Sequence, residues 1–67
     1  MIGLTINGES RQFESPLNCA ELLSRLELAG KRIALERNGE IVPRSRLAQE
    51  PLADGDRLEI VVAVGGG

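Results

Sequence analysis

The group in this sequence best suited to chemistry is the carboxylate of Gly67, which follows Gly65 and Gly66 at the end of the 67 residues. Glycine has no Cβ, so a run of glycines can enter a narrow site on another protein. An ionised carboxylate is a poor electrophile at neutral pH. If a partner enzyme converts it to an acyl-adenylate with ATP, its carbonyl carbon becomes reactive and can accept sulfur as a thiocarboxylate. We expect residues 65–67 to form a flexible tail, although a frayed terminus gives the same pattern.

The other candidate groups point to structure rather than chemistry. Cys19 is the single cysteine and the sequence has no histidine, so no imidazole can activate the thiol, and a buried core position is the favoured interpretation. Asp54 and Asp56 flank Gly55 and predict a turn rather than a metal site. The glycines match neither a dinucleotide-binding motif nor a phosphate-binding loop. We therefore predict no catalytic residue, no metal site and no cofactor of the chain's own.

The composition predicts one small domain over residues 1–67. Hydrophobic residues make up 42% of the sequence, which is enough for one modest core. Eight basic and ten acidic residues give a net charge of −2, and the scattered arginines argue against nucleic-acid binding. Arg44 and Arg46 are interpreted as solvated loop charge, with contact to a partner's acidic patch as the alternative. The sequence shows no membrane span, and its lone cysteine favours a reducing, cytoplasmic location.

Two Asn-Gly pairs organise the predicted strands into hairpins. Residues 2–6 alternate apolar with small or polar side chains, which is the pattern of a strand with one buried face. Asn7-Gly8 and Asn38-Gly39 supply the two positive φ angles of a type I′ turn, so each pair predicts an antiparallel hairpin. The predicted strands of these hairpins are residues 2–6, 9–14, 33–37 and 40–42.

One amphipathic helix is predicted between the hairpins, at residues 18–28. Asn18 is a favourable N-cap, and Glu21 stands three residues later in the capping-box position. Gly30 is predicted to end the helix as its C′ residue. The apolar side chains with helical spacing, expected to share one face, are Cys19, Leu22, Leu23 and Leu26.

The last predicted strand, residues 57–64, is apolar on both faces near its end, as buried strands are. We place it in the middle of the sheet, beside and parallel to the first strand. The result is an α+β fold of the β-grasp, ubiquitin-like type, a mixed sheet of four to five strands packed on one helix. The open face then presents Val61 and Ala63 as a small apolar patch suited to a partner protein. The side chains predicted to face the core are Leu58, Ile60, Val62 and Val64.

One stretch carries a more specific likeness to a known family. It is Glu40-Ile41-Val42-Pro43-Arg44, followed by a short polar segment, Asp54-Gly55-Asp56, an apolar strand and Gly65-Gly66-Gly67. In this stretch, and in length and element order, the whole chain resembles the ThiS family, the small sulfur carrier proteins of thiamine biosynthesis.

The resemblance implies a role for the terminal glycines. Gly67 would be adenylated by a ubiquitin-activating-like adenylyltransferase, which uses ATP, and then thiocarboxylated. Gly66 corresponds to the other half of the family's terminal Gly-Gly, Gly65 to an additional glycine that members often carry, and both would enter the partner's active site. The sulfur would come from a donor such as a cysteine desulfurase and pass to thiazole synthase for the thiazole ring. The chain would then be a carrier and substrate, not an enzyme.

Three alternatives stay open, because a terminal Gly-Gly is shared across ubiquitin-like modifiers and sulfur carriers. The small subunit of molybdopterin synthase is the nearest relative, but it is usually longer and tends to carry prolines shortly before the glycines, and no such proline occurs here. A second alternative is a non-covalent β-grasp interaction module whose glycines are a frayed end. The third is a modifier conjugated through Gly67 to lysines of other proteins.

Overall fold

The computed structural model of the chain describes residues 1–63. The predictions for Val64 and for the glycines at 65–67 lie outside the described residues. No helix in the described part is long and apolar enough to cross a membrane. The elements, in chain order, are β1 (Ile2–Ile6), β2 (Glu9–Phe13), α1 (Cys19–Arg25), β3 (Ile33–Arg37), β4 (Glu40–Ile41), a 3₁₀ helix (Arg44–Gln49) and β5 (Arg57–Val62).

The five strands form one mixed sheet in the order β2-β1-β5-β3-β4. β5 lies in the centre, parallel to β1 and antiparallel to β3. α1 connects β2 to β3, and its buried side chains join those of β1, β3 and β5 in one core. The predicted central position of the last strand and the predicted β-grasp fold are therefore confirmed.

Both Asn-Gly pairs form the turns that the sequence predicts. The φ angles are 50° at Asn7 and 84° at Gly8, and 52° at Asn38 and 87° at Gly39. Two consecutive positive φ angles define the type I′ turn and match the right-handed twist of the flanking strands. β4 ends at Ile41, one residue before the predicted end of this strand.

The start of α1 has the predicted capping box. The Glu21 N–H donates to the Asn18 Oδ1 at 2.8 Å, and the Asn18 N–H donates to the Glu21 Oε1 at 2.9 Å. These two bonds satisfy backbone donors that have no partner within the helix. Cys19, Leu22 and Leu23 are buried on the predicted face.

The end of α1 differs from the prediction. The helix ends at Arg25, and its C′ residue is Glu27, which has a φ of 60°, rather than Gly30, which has a φ of 82° in the loop beyond. The Leu28 N–H then donates to the Leu23 carbonyl at 2.7 Å, the bond that closes a Schellman motif. Because glycine is the usual C′ residue, the sequence pointed to the wrong position.

The helix-facing side chains of β5 are buried only in the first part of the strand. Leu58 and Ile60 belong to the core, but Val62 is 41% exposed, so its predicted core position is wrong. β1 pairs with β5 only at Arg57 and Leu58. Val62 therefore lies beyond the end of β1. Beside it is an open groove, bordered by Leu26 and Leu28 of the segment that follows α1.

Candidate functional site

β5 carries the predicted partner-binding residues towards the end of the described chain. Val61 lies opposite Ala34 of β3 in the antiparallel register. The Ala63 N–H donates to the Arg32 carbonyl at 2.9 Å, so β3 supports the backbone of β5 as far as residue 63. The chain thus reaches residue 64 from the centre of the sheet rather than from one of its edges.

The open face of the sheet has a concavity of about 370 Å³ at this end of β5. Val61 is 64% exposed within it, and Ala63 is exposed as well. Apolar side chains surrounded by polar ones are the usual composition of a protein-binding patch. The residues that line the concavity are Arg32, Ile33, Ala34, Arg44, Val61 and Ala63.

Two arginines give this concavity a positive rim. The salt bridges among residues 1–63 join Arg37 to Glu50 and Asp56, and Arg46 to Glu50, so neither Arg32 nor Arg44 is paired within the described chain. Sequence analysis interpreted both Arg44 and Arg46 as solvated loop charge. The structure separates them, because Arg46 contacts Glu50 while Arg44 lines the concavity.

The turn before β5 contains a buried carboxylate that sequence reasoning missed. Asp54-Gly55 forms the predicted turn, with a φ of 90° at Gly55. Asp56, only 6% exposed, accepts hydrogen bonds from the Ala53 N–H at 2.8 Å, the Arg37 Nε at 2.8 Å and the Asn38 Nδ2 at 3.0 Å. The Asp-Gly-Asp stretch is therefore a turn that also holds β3 against the start of β5.

Opposing effects set the pKa of the Asp56 carboxyl. Burial disfavours its charged form, but the hydrogen bonds from Arg37, Asn38 and the Ala53 N–H outweigh burial and hold the pKa below its usual range. The hydrogen bond to Asp56 also raises the pKa of the Arg37 guanidinium. Both groups are therefore ionised at neutral pH, which favours a structural ion pair over a proton-transfer site.

Cys19 has the properties of a core residue, as predicted. Its side chain is fully buried. Burial, followed by the nearby charge of Glu50, raises the pKa of the thiol to about 11, so the reactive thiolate is scarce at neutral pH. Among residues 1–63, no group of three or more acidic, cysteine or histidine side chains is arranged to hold a metal ion.

The residues of the concavity that sequence reasoning missed are Arg32 and Ala34, whereas contact of Arg44 with a partner was considered as the alternative to solvated loop charge. Ala34 and Arg32 lie beside Val61 and Ala63 because of the β3–β5 register. The β3–β5 register could have predicted that Arg32 and Ala34 lie at the concavity, since both strands and their antiparallel order follow from the predicted fold. Arg44 comes from the 3₁₀ helix, and no local pattern places that segment beside β5.

Comparison with known proteins places the chain in one family. The ThiS family model matches residues 4–67. The sulfur carrier protein ThiS of Bacillus subtilis is 35% identical over 65 residues, covering 96% of this chain and 98% of that protein. The crystal structure of the thiamine biosynthesis protein ThiS from Geobacter metallireducens superposes with a TM-score of 0.82 at 35% identity, covering 98% of this chain and all of that one.

A longer protein also contains a similar segment. The thiazole synthase of Paramagnetospirillum magneticum is 48% identical over 64 residues, which cover 96% of this chain but 20% of that protein. The chain therefore spans about a fifth of the length of this relative. Together with the full-length matches, this agreement confirms the resemblance found in the sequence, and the chain belongs to the ThiS family.

Proposed function

We propose that this chain is a sulfur carrier of thiamine biosynthesis and that the Gly67 carboxylate is the group that carries the sulfur. The observation that supports this most strongly is that the family match extends through residue 67. The terminal glycines therefore lie within the family pattern. The central position of β5 adds to the argument, because it directs the tail from a supported strand beside an exposed apolar patch.

The proposed chemistry takes place in partner enzymes. A carboxylate oxygen of Gly67 attacks the α-phosphorus of ATP, which forms the acyl-adenylate and releases pyrophosphate. The persulfide of a donor such as a cysteine desulfurase then attacks the carbonyl carbon, and AMP leaves. A thiol reductant cleaves the S–S bond of the resulting acyl disulfide and releases the donor thiol, so that sulfur replaces one carboxylate oxygen. The thiocarboxylate sulfur is a nucleophile that thiazole synthase incorporates into the thiazole ring. In this scheme the chain binds no cofactor, acts as carrier and substrate, and is not an enzyme.

The concavity at the end of β5 is proposed as the docking surface for the adenylyltransferase. The four residues after Ala63 can extend at most about 14 Å, so an active site that receives Gly67 must lie close to this surface. Val61 and Ala34 offer apolar contact. Arg32 and Arg44, which form no salt bridge among residues 1–63, favour acidic side chains on the partner.

Thiazole synthase is proposed as the second partner. The similar segment in the Paramagnetospirillum magneticum synthase supports this assignment, since it occurs within a protein of that name. Gly65 and Gly66 are proposed to enter the active sites of both partners, where a backbone without side chains needs the least room.

Intact-mass spectrometry of the chain isolated from thiamine-starved cells tests the proposal. We expect a species whose mass shows that sulfur has replaced one oxygen, and fragmentation should locate the change at Gly67. The control is the chain without Gly66 and Gly67, which should fold but show no such species. If the intact chain is never modified while the same cells make thiamine through it, the proposal is wrong. If the shortened chain also supports thiamine synthesis, the chain acts instead as a non-covalent interaction module.

A further inference from the structure

The side chain of Asn7 bonds to the backbone of β5 through both ends of its amide. The Ile60 N–H donates to the Asn7 Oδ1 at 2.8 Å, and the Asn7 Nδ2 donates to the Ile60 carbonyl at 3.0 Å. The two residues are 53 positions apart in sequence. The carboxamide thus offers β5 the same donor and acceptor that a peptide group of a neighbouring strand would offer.

This contact continues the pairing of β1 with β5 beyond the end of β1. The backbone N–H of Thr5 donates to the Asp56 carbonyl at 3.0 Å, and that of Asn7 to the Leu58 carbonyl at 2.9 Å. The next partner along β5 is Ile60, but the main chain has already entered the Asn7-Gly8 turn and cannot reach it. The Asn7 side chain takes that place. Among residues 1–63, no hydrogen bond reaches β5 from this side beyond Ile60.

We propose that Asn7 is a positioning residue for the tail: its carboxamide fixes Ile60 from the β1 side and so sets the direction in which β5 leads to Gly67. The inference rests on the proposed function of Gly67. β3 supports the other side of β5 as far as Ala63, so Ile60 is the last position at which the described part of β5 is also hydrogen-bonded on its β1 side. Without the Asn7 contact, β5 is less restrained at Ile60 and the tail can occupy a wider range of positions. Binding to a partner must then restrict the tail further, and this loss of conformational entropy lowers the affinity.

Asn38 provides a matched control at the opposite end of β5. It occupies the same position of the second Asn-Gly turn, with a φ of 52° against 50° at Asn7. Its Oδ1 accepts from the Arg57 N–H at 2.9 Å, and its Nδ2 donates to Asp56 at 3.0 Å. Replacing either asparagine by glycine removes two hydrogen bonds to β5 or the turn before it and keeps the positive φ, which glycine adopts readily.

The test compares Asn7→Gly and Asn38→Gly in the full-length chain. For Asn7→Gly we expect the adenylyltransferase to show a KM for the chain raised on the order of threefold to tenfold, with kcat unchanged. Hydrogen exchange of the Ile60 amide should accelerate about tenfold, since its acceptor is gone. Asn38→Gly should destabilise the fold to a similar extent and leave both quantities at the wild-type value. Asn7→Asp, which keeps an acceptor for the Ile60 N–H but loses the donor, should fall between Asn7→Gly and wild type.

The outcomes separate this inference from the proposed function. If the wild-type chain is adenylated and Asn7→Gly has the same KM as Asn38→Gly, Asn7 does not position the tail. If Ile60 exchanges at the wild-type rate in Asn7→Gly, the carboxamide does not hold the strand, and the inference also fails. If the wild-type chain is not adenylated at all, the proposed function fails. The link between Asn7 and Gly67 then fails with it, whatever the exchange rate shows.

Discussion

The two ends of β5 differ in burial and in the polarity of their surroundings. At the start of the strand, Asp56 is buried and hydrogen-bonded to Arg37 and Asn38, and Leu58 is packed in the core. At the other end, Val61 is largely exposed on an open apolar surface. Every polar group of Asp56 has a partner within the chain, whereas the surface around Val61 leaves room for a partner outside it.

This difference predicts that stability depends on the start of β5 and recognition of a partner on its end. Residues at the start of β5 connect β3, the turn at Gly55 and the core, so changing them should unfold the domain. At the far end β3 holds the backbone but the side chains of Val61 and Ala63 are exposed, so changing these side chains should affect partner binding rather than stability. A small domain with a modest core has little stability to lose, so an exposed surface can change without loss of the fold only where its side chains contribute little to that stability.

The largest expected effect is the loss of stability caused by Asp56→Ala at the start of β5. We expect the free energy of unfolding to fall by about 3 kcal/mol, because a buried carboxylate with several hydrogen bonds is lost. The substitution removes the bonds from Arg37, Asn38 and the Ala53 N–H and leaves Arg37 its bond to Glu50. Denaturant unfolding measures this change. Asp56→Asn keeps the shape but removes the charge, and it should cost less than Asp56→Ala. At a temperature where the variants stay folded, their KM as adenylyltransferase substrates should match that of wild type; a raised KM would show that the two ends are not separate.

A substitution at the Val61 end of β5 should instead impair partner binding and leave stability almost unchanged. Val61→Asp places a charge in the concavity and should lower kcat/KM with the adenylyltransferase about tenfold or more. The free energy of unfolding should change by no more than about 0.5 kcal/mol, since Val61 is a surface residue. Ile41→Asp is the matched control, because Ile41 is 67% exposed yet does not line the concavity. Equal loss of kcat/KM in both variants would mean that the concavity is not the docking surface.

A smaller effect should appear in the pH dependence of stability. The folded-state pKa of Asp56 lies below its usual value, so the carboxylate contributes stability above the unfolded-state pKa of about 3.9. This contribution should be lost as the pH falls from about 4 through the lower folded-state pKa. Urea unfolding between neutral and acidic pH measures it, and Asp56→Asn should show a flatter acid limb. An acid limb identical to that of wild type would assign the dependence to other carboxylates.

Local patterns in the sequence predicted most of the fold around β5. The Asn-Gly turns, the Asn18–Glu21 capping box and the two-sided apolar character of β5 each have a direct physical meaning, and together they predicted the fold and the central position of β5. The end of α1 was predicted wrongly because Glu27 adopts a conformation that glycine usually takes. The exposure of Val62 was missed because it depends on where β1 stops.

The contacts that distinguish the two ends of β5 could not be predicted, because they join residues that are distant in sequence. Arg37 and Asp56 meet only after β3 and β5 have paired. The Asn7 contact with Ile60 requires the parallel pairing of β1 and β5. In the sequence these residues look like ordinary turn and surface residues, and tertiary structure alone gives them their roles.

ATP–pyrophosphate exchange tests whether β5 presents the Gly67 carboxylate for activation. The assay uses the purified adenylyltransferase with either the full chain or the chain lacking Gly66 and Gly67. We expect exchange that depends on the full chain and is absent with the shortened one, although both have the same free energy of unfolding. Equal exchange with both chains, or none with the full chain, would contradict this expectation.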